Sequence, residues 1–165
     1  NNIGSSDSNL SLEGGPVRVI GNHLDGSPTR NVLLRGNKRI LISNNILEGS
    51  LQESIRYDMP SWLDSDAPQV QVIGNAISNG GKGEAGTYAA IGFYGVSATK
   101  RLSGLSVTGN VIACEDPGSG WSYCVDTNFA DDISAVGNQW ASGFTVSPTR
   151  FQGSALRTAT AGNTV

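Results

Sequence analysis

Residues 105–112 read LSVTGNVI, and the same arrangement recurs along most of the chain. Two apolar residues flank a single residue, a further residue and a Gly-Asn pair follow, and one more residue leads to another apolar residue. Four other segments share this arrangement: VRVIGNHL at 17–24, VQVIGNAI at 70–77, ISAVGNQW at 133–140, and ILISNNIL at 40–47, in which Asn stands in place of the Gly. Weaker copies lie at 1–3 and 158–165. An internal repeat of this length predicts a solenoid, in which each copy forms one coil.

The physical chemistry of the repeat explains how one coil is built. Its Asn lies at positions 1, 22, 45, 75, 110, 138 and 163, so successive copies are 21, 23, 30, 35, 28 and 25 residues apart. Alternating apolar residues indicate a strand with one buried face. Gly and Asn tolerate left-handed backbone angles, which allows the chain to bend sharply into a second strand. We therefore expect an all-β parallel β-helix of about six to seven coils, with the corner Asn residues stacked in a ladder of hydrogen bonds.

A third strand is expected before each repeat. Its paired inward residues are Leu10 and Leu12, Val32 and Leu34, Ile55 and Tyr57, Ile91 and Phe93, and Val125 and Thr127. The segments that join this strand to the repeat vary in length, as insertions in a solenoid do. Leu24, Leu47, Ile77 and Ile112 should form one internal row, and Trp140 should lie in the core.

Length and composition favour a single domain over residues 1–165. We expect both ends of this domain to be uncapped. Charged residues are 15% of the chain, against about 25% in typical domains. The formal net charge of −3 provides no basic field for nucleic acid. No apolar run is long enough for a membrane span. The abrupt termini suggest a fragment of a longer chain, whose remaining residues or partner subunits would cover the exposed ends.

Residues 31–47, NVLLRGNKRILISNNIL, resemble the repeat of the pectate-lyase-like, right-handed parallel β-helix proteins. That group includes polysaccharide lyases, glycoside hydrolases, epimerases and phage tailspike depolymerases. Irregular coil lengths and abundant Gly, Ser and Asn give a loose likeness to the tailspikes. The resemblance implies a polysaccharide partner, a site on the outer face of one sheet, a homotrimer, and a location outside the cell or on a virion surface.

The outward residues of the third strand should form two columns. Ser11, Leu33, Arg56, Gly92 and Asp126 form one, and Glu13, Arg35, Asp58, Tyr94 and Asn128 form the other. Neighbouring strands lie about 4.8 Å apart, so residues one coil apart become close neighbours. The columns bring charged groups onto one wall, where paired carboxylates could support glycoside hydrolysis.

Three insertions flank this wall, at 59–67, 79–88 and 115–122. Their aromatic and charged residues suit the rims of a sugar-binding groove, because aromatic faces stack on sugar rings. The predicted catalytic residues are Asp58, Asp126, Glu84 and Arg56. The predicted substrate-binding residues are Arg35, Trp62, Asp64, Lys82, Tyr94, Trp121 and Tyr123.

Other interpretations stay open at this point. Arg56 and Asp58 could be ordinary surface ion-pair residues, which contribute little, and Trp62 and Trp121 could pack against the wall. Cys114 and Cys124 could form a disulfide or remain free thiols. No spacing fits zinc, an EF-hand, a phosphate loop or a dinucleotide site, so we expect no metal and no cofactor.

Three functions fit the scaffold. The first is a polysaccharide depolymerase, acting as a glycoside hydrolase or a lyase. The second is a carbohydrate-binding or adhesion module without catalysis, and the third is a structural spike shaft. Uneven coils bearing Trp, Tyr, Asp and Glu favour the first two.

Overall fold

The computed structural model describes residues 7–63, 68–84, 86–115, 120–140, 149–152 and 158–163. Every regular element in these ranges is a β-strand. In chain order the strands are β1 (Ser8–Glu13), β2 (Val17–Ile20), β3 (His23–Leu24), β4 (Arg30–Arg35), β5 (Ile40–Ser43), β6 (Ile46–Glu48), β7 (Ile55–Asp58), β8 (Val70–Ile73), β9 (Ala76–Ser78), β10 (Ala89–Tyr94), β11 (Leu105–Thr108), β12 (Val111–Ala113), β13 (Tyr123–Asn128), β14 (Ile133–Val136), β15 (Gln139–Trp140), β16 (Thr149–Gln152) and β17 (Thr158–Ala161).

The strands form three parallel sheets in which every third strand of the chain is a neighbour. Sheet A has the order β1-β4-β7-β10-β13-β16, sheet B the order β2-β5-β8-β11-β14-β17, and sheet C the order β3-β6-β9-β12-β15. This architecture confirms the all-β prediction and agrees with a parallel β-helix. None of the described residues belongs to a helix long and apolar enough to cross a membrane.

The register of the sheets confirms the predicted internal rows. Leu24, Leu47, Ile77, Ile112 and Trp140 are successive partners in sheet C. Leu47, Ile77, Ile112 and Trp140 are each at most 2% exposed. Sheet A places its apolar pairs inward in the same way, so the core runs along the stack as one continuous cluster.

The predicted Asn ladder runs along the corner between sheets B and C. From Asn45 onward in the described residues, the side-chain oxygen of the corner Asn accepts hydrogen bonds from the backbone and side-chain nitrogens of the preceding corner Asn. The distances between these atoms are 2.9 to 3.2 Å for Asn22, Asn45, Asn75, Asn110, Asn138 and Asn163. The side-chain nitrogen of Asn75 also donates to the carbonyl of Ile42, 3.0 Å away in the preceding coil.

The residue before each ladder Asn adopts the left-handed conformation that the bend requires. Gly74 has a φ of 63° and Gly109 a φ of 64°. In the one clear repeat that lacks this glycine, Asn44 takes its place with a φ of 55°. Asn is one of the few residues with a side chain that visits this region readily.

The two cysteines are free thiols, with Cys124 buried and Cys114 partly buried. Burial raises the pKa of both thiols, and the proximity of Cys114 raises that of Cys124 further. A raised pKa keeps a thiol protonated at neutral pH, which makes it a poor nucleophile.

We predict that Asn75→Ala lowers the free energy of unfolding by about 3 kcal/mol, because it leaves buried amide and carbonyl groups of two coils without partners. Asn22→Ala is the matched control at the exposed start of the described ladder, where water can replace the lost bonds, and we expect a loss of about 1 kcal/mol. Urea unfolding followed by circular dichroism measures both. Equal losses would contradict a stabilising role for the buried part of the ladder.

Candidate functional site

The outward residues of sheet A form the two predicted columns. Arg56, Gly92, Asp126 and Arg150 are successive partners in one column, and Asp58, Tyr94, Asn128 and Gln152 in the other. Parallel pairing in register forces this stacking, because side chains on one face repeat every second residue along each strand. We define the sheet A wall as the surface formed by Arg30, Arg35, Glu53, Arg56, Asp58, Tyr94, Tyr123, Asp126 and Arg150.

Glu53 is the central acid of the wall, although it precedes β7 and is only 2% exposed. One carboxylate oxygen accepts a hydrogen bond from Arg30 Nε at 2.9 Å. The other accepts from Arg56 Nη1 at 3.0 Å and from the Tyr94 hydroxyl at 3.4 Å. Glu53 therefore connects residues of three neighbouring coils. An acid this deeply buried is tolerated only when its charge is compensated, which the two guanidinium groups achieve.

Asp126 and Arg150 form the second charged centre. Arg150 donates through Nε and Nη2 to the two carboxylate oxygens, at 2.8 and 2.7 Å, in the bidentate geometry that suits a guanidinium. The hydrogen bond to Asp126 raises the pKa of Arg150. The guanidinium carbon of Arg150 also lies 4.1 Å from the centre of the Tyr123 ring, within the range of a cation–π contact.

Tyr94 joins the two centres. Its hydroxyl lies 3.3 Å from a carboxylate oxygen of Asp126 and 3.4 Å from one of Glu53. The guanidinium carbon of Arg56 lies 4.7 Å from the centre of its ring. Burial, and next the charges of Glu53 and Asp126, raise the pKa of Tyr94, so its hydroxyl remains a neutral donor.

Gly92 makes room for the Tyr94 ring on the wall. A Cβ atom at Gly92 would lie 2.6 to 2.8 Å from the ring and hydroxyl atoms of Tyr94. Real Cβ atoms do not approach other atoms so closely, and only glycine leaves the surface of β10 free there. The lack of a side chain at this column position is therefore a condition for the contacts of Tyr94.

The Tyr94 hydroxyl sets an upper limit on the distance between the carboxylates of Glu53 and Asp126. A single hydroxyl reaches both Glu53 and Asp126, so their nearest oxygens lie no more than about 7 Å apart, twice the length of a long hydrogen bond. Pairs of carboxylates about 5 to 9.5 Å apart carry out glycoside hydrolysis. The arginines and Tyr94 occupy the oxygens of both acids, however, so a substrate would have to displace one of these groups.

Three predicted residues form an accessible strip at the end of the wall where β4 and β7 finish. Asp58 is about a quarter exposed and binds Arg56 Nε at 2.7 Å. Arg35 is exposed and is the partner of Asp58 in the register. Trp62 is 67% exposed and lies over Gly36, where its ring would be 3.4 Å from an added Cβ.

Other predicted residues lie apart from this strip. Trp121 is fully buried, its Nε1 donates to the backbone oxygen of Gln52 at 3.0 Å, and its ring packs on Gly80. It therefore has no ring face for a sugar in this structure. Lys82 borders a surface depression with Asp25, Glu48 and Asn79.

Glu84 is exposed in a turn of the second insertion, and its backbone oxygen accepts a hydrogen bond from Thr87. The turn packs through Gly83 onto the backbone of Leu51. Within the ranges that the structure describes, no hydrogen bond or ion pair joins the Glu84 carboxylate to the sheet A wall. Asp64, also predicted to bind substrate, lies outside the described residues.

Sequence reasoning missed Glu53, Arg30 and Arg150. Glu53 and Arg30 lie two residues before Ile55 and Val32, at positions that the alternation assigns to the inward face, so the outward columns did not include them. Arg150 would have been found by adding β16, whose repeat is weak in the sequence, to the column that contains Asp126. Nothing in the sequence indicates that Tyr94 connects Glu53 to Asp126.

Comparisons of the chain with protein-family models, with curated proteins and with solved structures find no match. Function is therefore inferred from the wall itself.

We predict that Gly92→Ala destabilises the protein by about 2 kcal/mol, because the new methyl group overlaps the Tyr94 ring. The same substitution should cost less than about 0.5 kcal/mol in a Tyr94→Ala background, and it should keep its full cost in a Tyr94→Phe background, which retains the ring. Denaturant unfolding of the double-mutant cycle measures this coupling. Additive effects in the Tyr94→Ala background would show that the ring does not lie over Gly92.

We also predict that Asp126→Asn lowers the free energy of unfolding by about 2 kcal/mol, because it removes the charge that compensates Arg150 at a nearly buried position. Asp58→Asn is the isosteric control. Its partner Arg56 retains Glu53, and Asp58 is more exposed, so we expect a loss of about 0.5 kcal/mol. Urea unfolding midpoints compare the two, and a larger loss for Asp58→Asn would refute the assignment of Asp126 as a structural charge centre.

Proposed function

We propose that the sheet A wall binds a polysaccharide. One observation carries the proposal: an exposed tryptophan ring, Trp62, lies beside the exposed guanidinium of Arg35 and the carboxylate of Asp58, which Arg56 holds in place through a 2.7 Å hydrogen bond. Sugar rings combine apolar faces with hydroxyl groups, so they suit an aromatic surface beside charged donors and acceptors. Side chains already held in position lose little conformational entropy when a ligand binds.

Each residue of the accessible strip has a proposed role in binding. Trp62 supplies the ring face, Arg35 supplies a guanidinium, and Asp58 supplies an acceptor for sugar hydroxyls. Arg35 has no ion-pair partner within the described part of the chain, so its donors are open to a ligand. Arg56 positions Asp58 through their 2.7 Å hydrogen bond.

The likeness of the repeat to pectate-lyase-like proteins supports this proposal at the level of the scaffold. We propose that the three sheets wind as a right-handed β-helix of the kind found in that group, which includes phage tailspike depolymerases. The same likeness suggests a homotrimer that acts outside the cell or on a virion surface, where polysaccharides are encountered.

Hydrolysis is the second candidate, favoured by the arrangement of Glu53 and Asp126 on either side of the Tyr94 hydroxyl. A substrate oxygen that replaced this hydroxyl would meet two carboxylates. One could act as acid and the other as nucleophile or base. The arginines already donate hydrogen bonds to the oxygens of both acids and would have to be displaced by a substrate, and for this reason binding ranks ahead of cleavage.

A panel of capsular, O-antigen and pectic polysaccharides tests both candidates. We expect the protein to bind at least one of them in affinity electrophoresis, and Trp62→Ala to weaken that binding about tenfold, which corresponds to the loss of about 1.4 kcal/mol of stacking energy. Ile20→Ala, at a comparably exposed apolar residue of sheet B, is the control that should bind normally.

Reducing ends and the absorbance of unsaturated uronates, followed in the same mixtures, report cleavage. New reducing ends that are lost in a Glu53→Gln variant, shown by circular dichroism to be folded, would support hydrolysis. Unsaturated products would indicate a lyase instead. Failure of the folded protein to bind any polysaccharide of the panel, or full binding by Trp62→Ala, would contradict the proposed function.

A further inference from the structure

A second polar groove lies on the outer face of sheet B, away from the sheet A wall. It has a volume of about 210 Å³ and opens to solvent. Its lining residues are Arg18, Arg39, Ile40, Leu41, Gln69 and Gln71. Two guanidinium groups and two carboxamides therefore face one depression, and none of the lining residues is acidic.

The register of three strands builds this groove. Arg18 of β2 is the partner of Leu41 in β5, and Leu41 is the partner of Gln71 in β8. Arg39 and Gln69 directly precede β5 and β8 at the same register position. Both have left-handed backbones, with φ of 55° and 51°. The groove thus crosses three strands that are about 4.8 Å apart.

Arg18 and Arg39 of the groove differ from Arg30, Arg56 and Arg150 of the sheet A wall in having no ion-pair partner among the described residues. Arg30, Arg56 and Arg150 each donate to a carboxylate. Neither Arg18 nor Arg39 makes an ion pair in the ranges that the structure describes, and both are exposed. In a chain with a net charge of −3, two such neighbouring cations are a local excess of positive charge that attracts an anion.

We propose that this groove binds an acidic oligosaccharide, with Arg18 and Arg39 recognising a carboxylate or sulfate group. A guanidinium fork matches the oxygens of such groups in a bidentate geometry. Gln69 and Gln71 offer both donors and acceptors, as sugar hydroxyls require, and Leu41 supplies an apolar contact. The proposal is independent of the function proposed for the sheet A wall, since the two sites share no residue.

Nucleic acid fits the groove less well than an acidic sugar. Stacking of bases needs aromatic side chains, and none lines the groove. Binding to a phosphate backbone usually takes more cations than two.

The test uses nitrogen-15 correlation spectra of the protein at low ionic strength. The probes are tetragalacturonate and a sulfated heparin tetrasaccharide, with maltotetraose as the neutral counterpart and inorganic sulfate as the isolated anion. We expect at least one acidic tetrasaccharide to shift the side-chain signals of Gln69, Gln71, Arg18 and Arg39. Physiological salt should weaken this binding, because it screens exposed charges.

Arg18→Gln and Arg39→Gln should each weaken the binding about five- to tenfold. Glutamine is a suitable replacement at position 39, because Gln69 already occupies the equivalent corner one coil further with nearly the same φ. Lys82→Gln removes the same charge from a separate surface depression, which Asp25, Glu48 and Asn79 also line, and should leave binding unchanged. Circular dichroism and the unfolding midpoint confirm that each variant is folded.

Several results would overturn the proposal. It is wrong if neither acidic tetrasaccharide shifts the Gln69 and Gln71 signals, or if maltotetraose shifts them equally. It is also wrong if Arg18→Gln and Arg39→Gln bind like the unmodified protein, or if Lys82→Gln is weakened as much as they are. Inorganic sulfate that binds as tightly as the tetrasaccharides would show a site for an isolated anion and no recognition of sugar. Loss of polysaccharide binding in Trp62→Ala alone would concern the sheet A wall and leave this groove intact.

Discussion

The amide ladder at the corner between sheets B and C is the constraint on which the rest of the structure depends. From Asn45 to Asn163, each ladder Asn accepts two hydrogen bonds from its predecessor and donates one to a backbone carbonyl of the preceding coil. Asn45, Asn75, Asn110 and Asn138 are at most 1% exposed, so water cannot take over these bonds. A coil displaced by one residue would leave several buried amide groups without partners, at a cost of about 1 to 3 kcal/mol for each. The ladder therefore fixes the register of every coil against the next.

A fixed register turns separate surface residues into neighbours. Arg56, Tyr94 and Asp126 come from three coils, yet they form one connected set of contacts on sheet A. Insertions of different length between the strands do not disturb this arrangement, because the corner resets the alignment in each coil. Variable loops and constant columns can thus change independently, which is compatible with the binding surface that we propose for the outer wall.

Features that recur in every copy of the repeat were predictable from the sequence, and contacts that occur only once were not. Alternating apolar residues and the Gly-Asn pair recur in each copy, so the strands, the inward rows and the columns can be aligned from the amino-acid sequence alone. Glu53 lies outside the repeat, in the segment that leads into β7, and its interaction with Tyr94 spans 41 residues. Trp121 shows the same limit. Its position in a long insertion suggested a rim residue, whereas its ring fills space above Gly80, a contact that depends on how two insertions pack together.

The outer faces of sheets A and B differ in how their charged side chains are compensated within the protein. On sheet A the deeply buried acids Glu53 and Asp126 are saturated by arginines and Tyr94, an arrangement that stabilises the wall and holds its exposed edge in place. A charge already paired within the protein gains little from a ligand, since a new contact must replace an old one. Arg35 at that edge, and Arg18 and Arg39 on sheet B, lack such partners within the described residues. The unpaired cations are therefore the groups at which both proposed ligands would bind, whereas the buried charges of sheet A stabilise the wall through contacts within the protein.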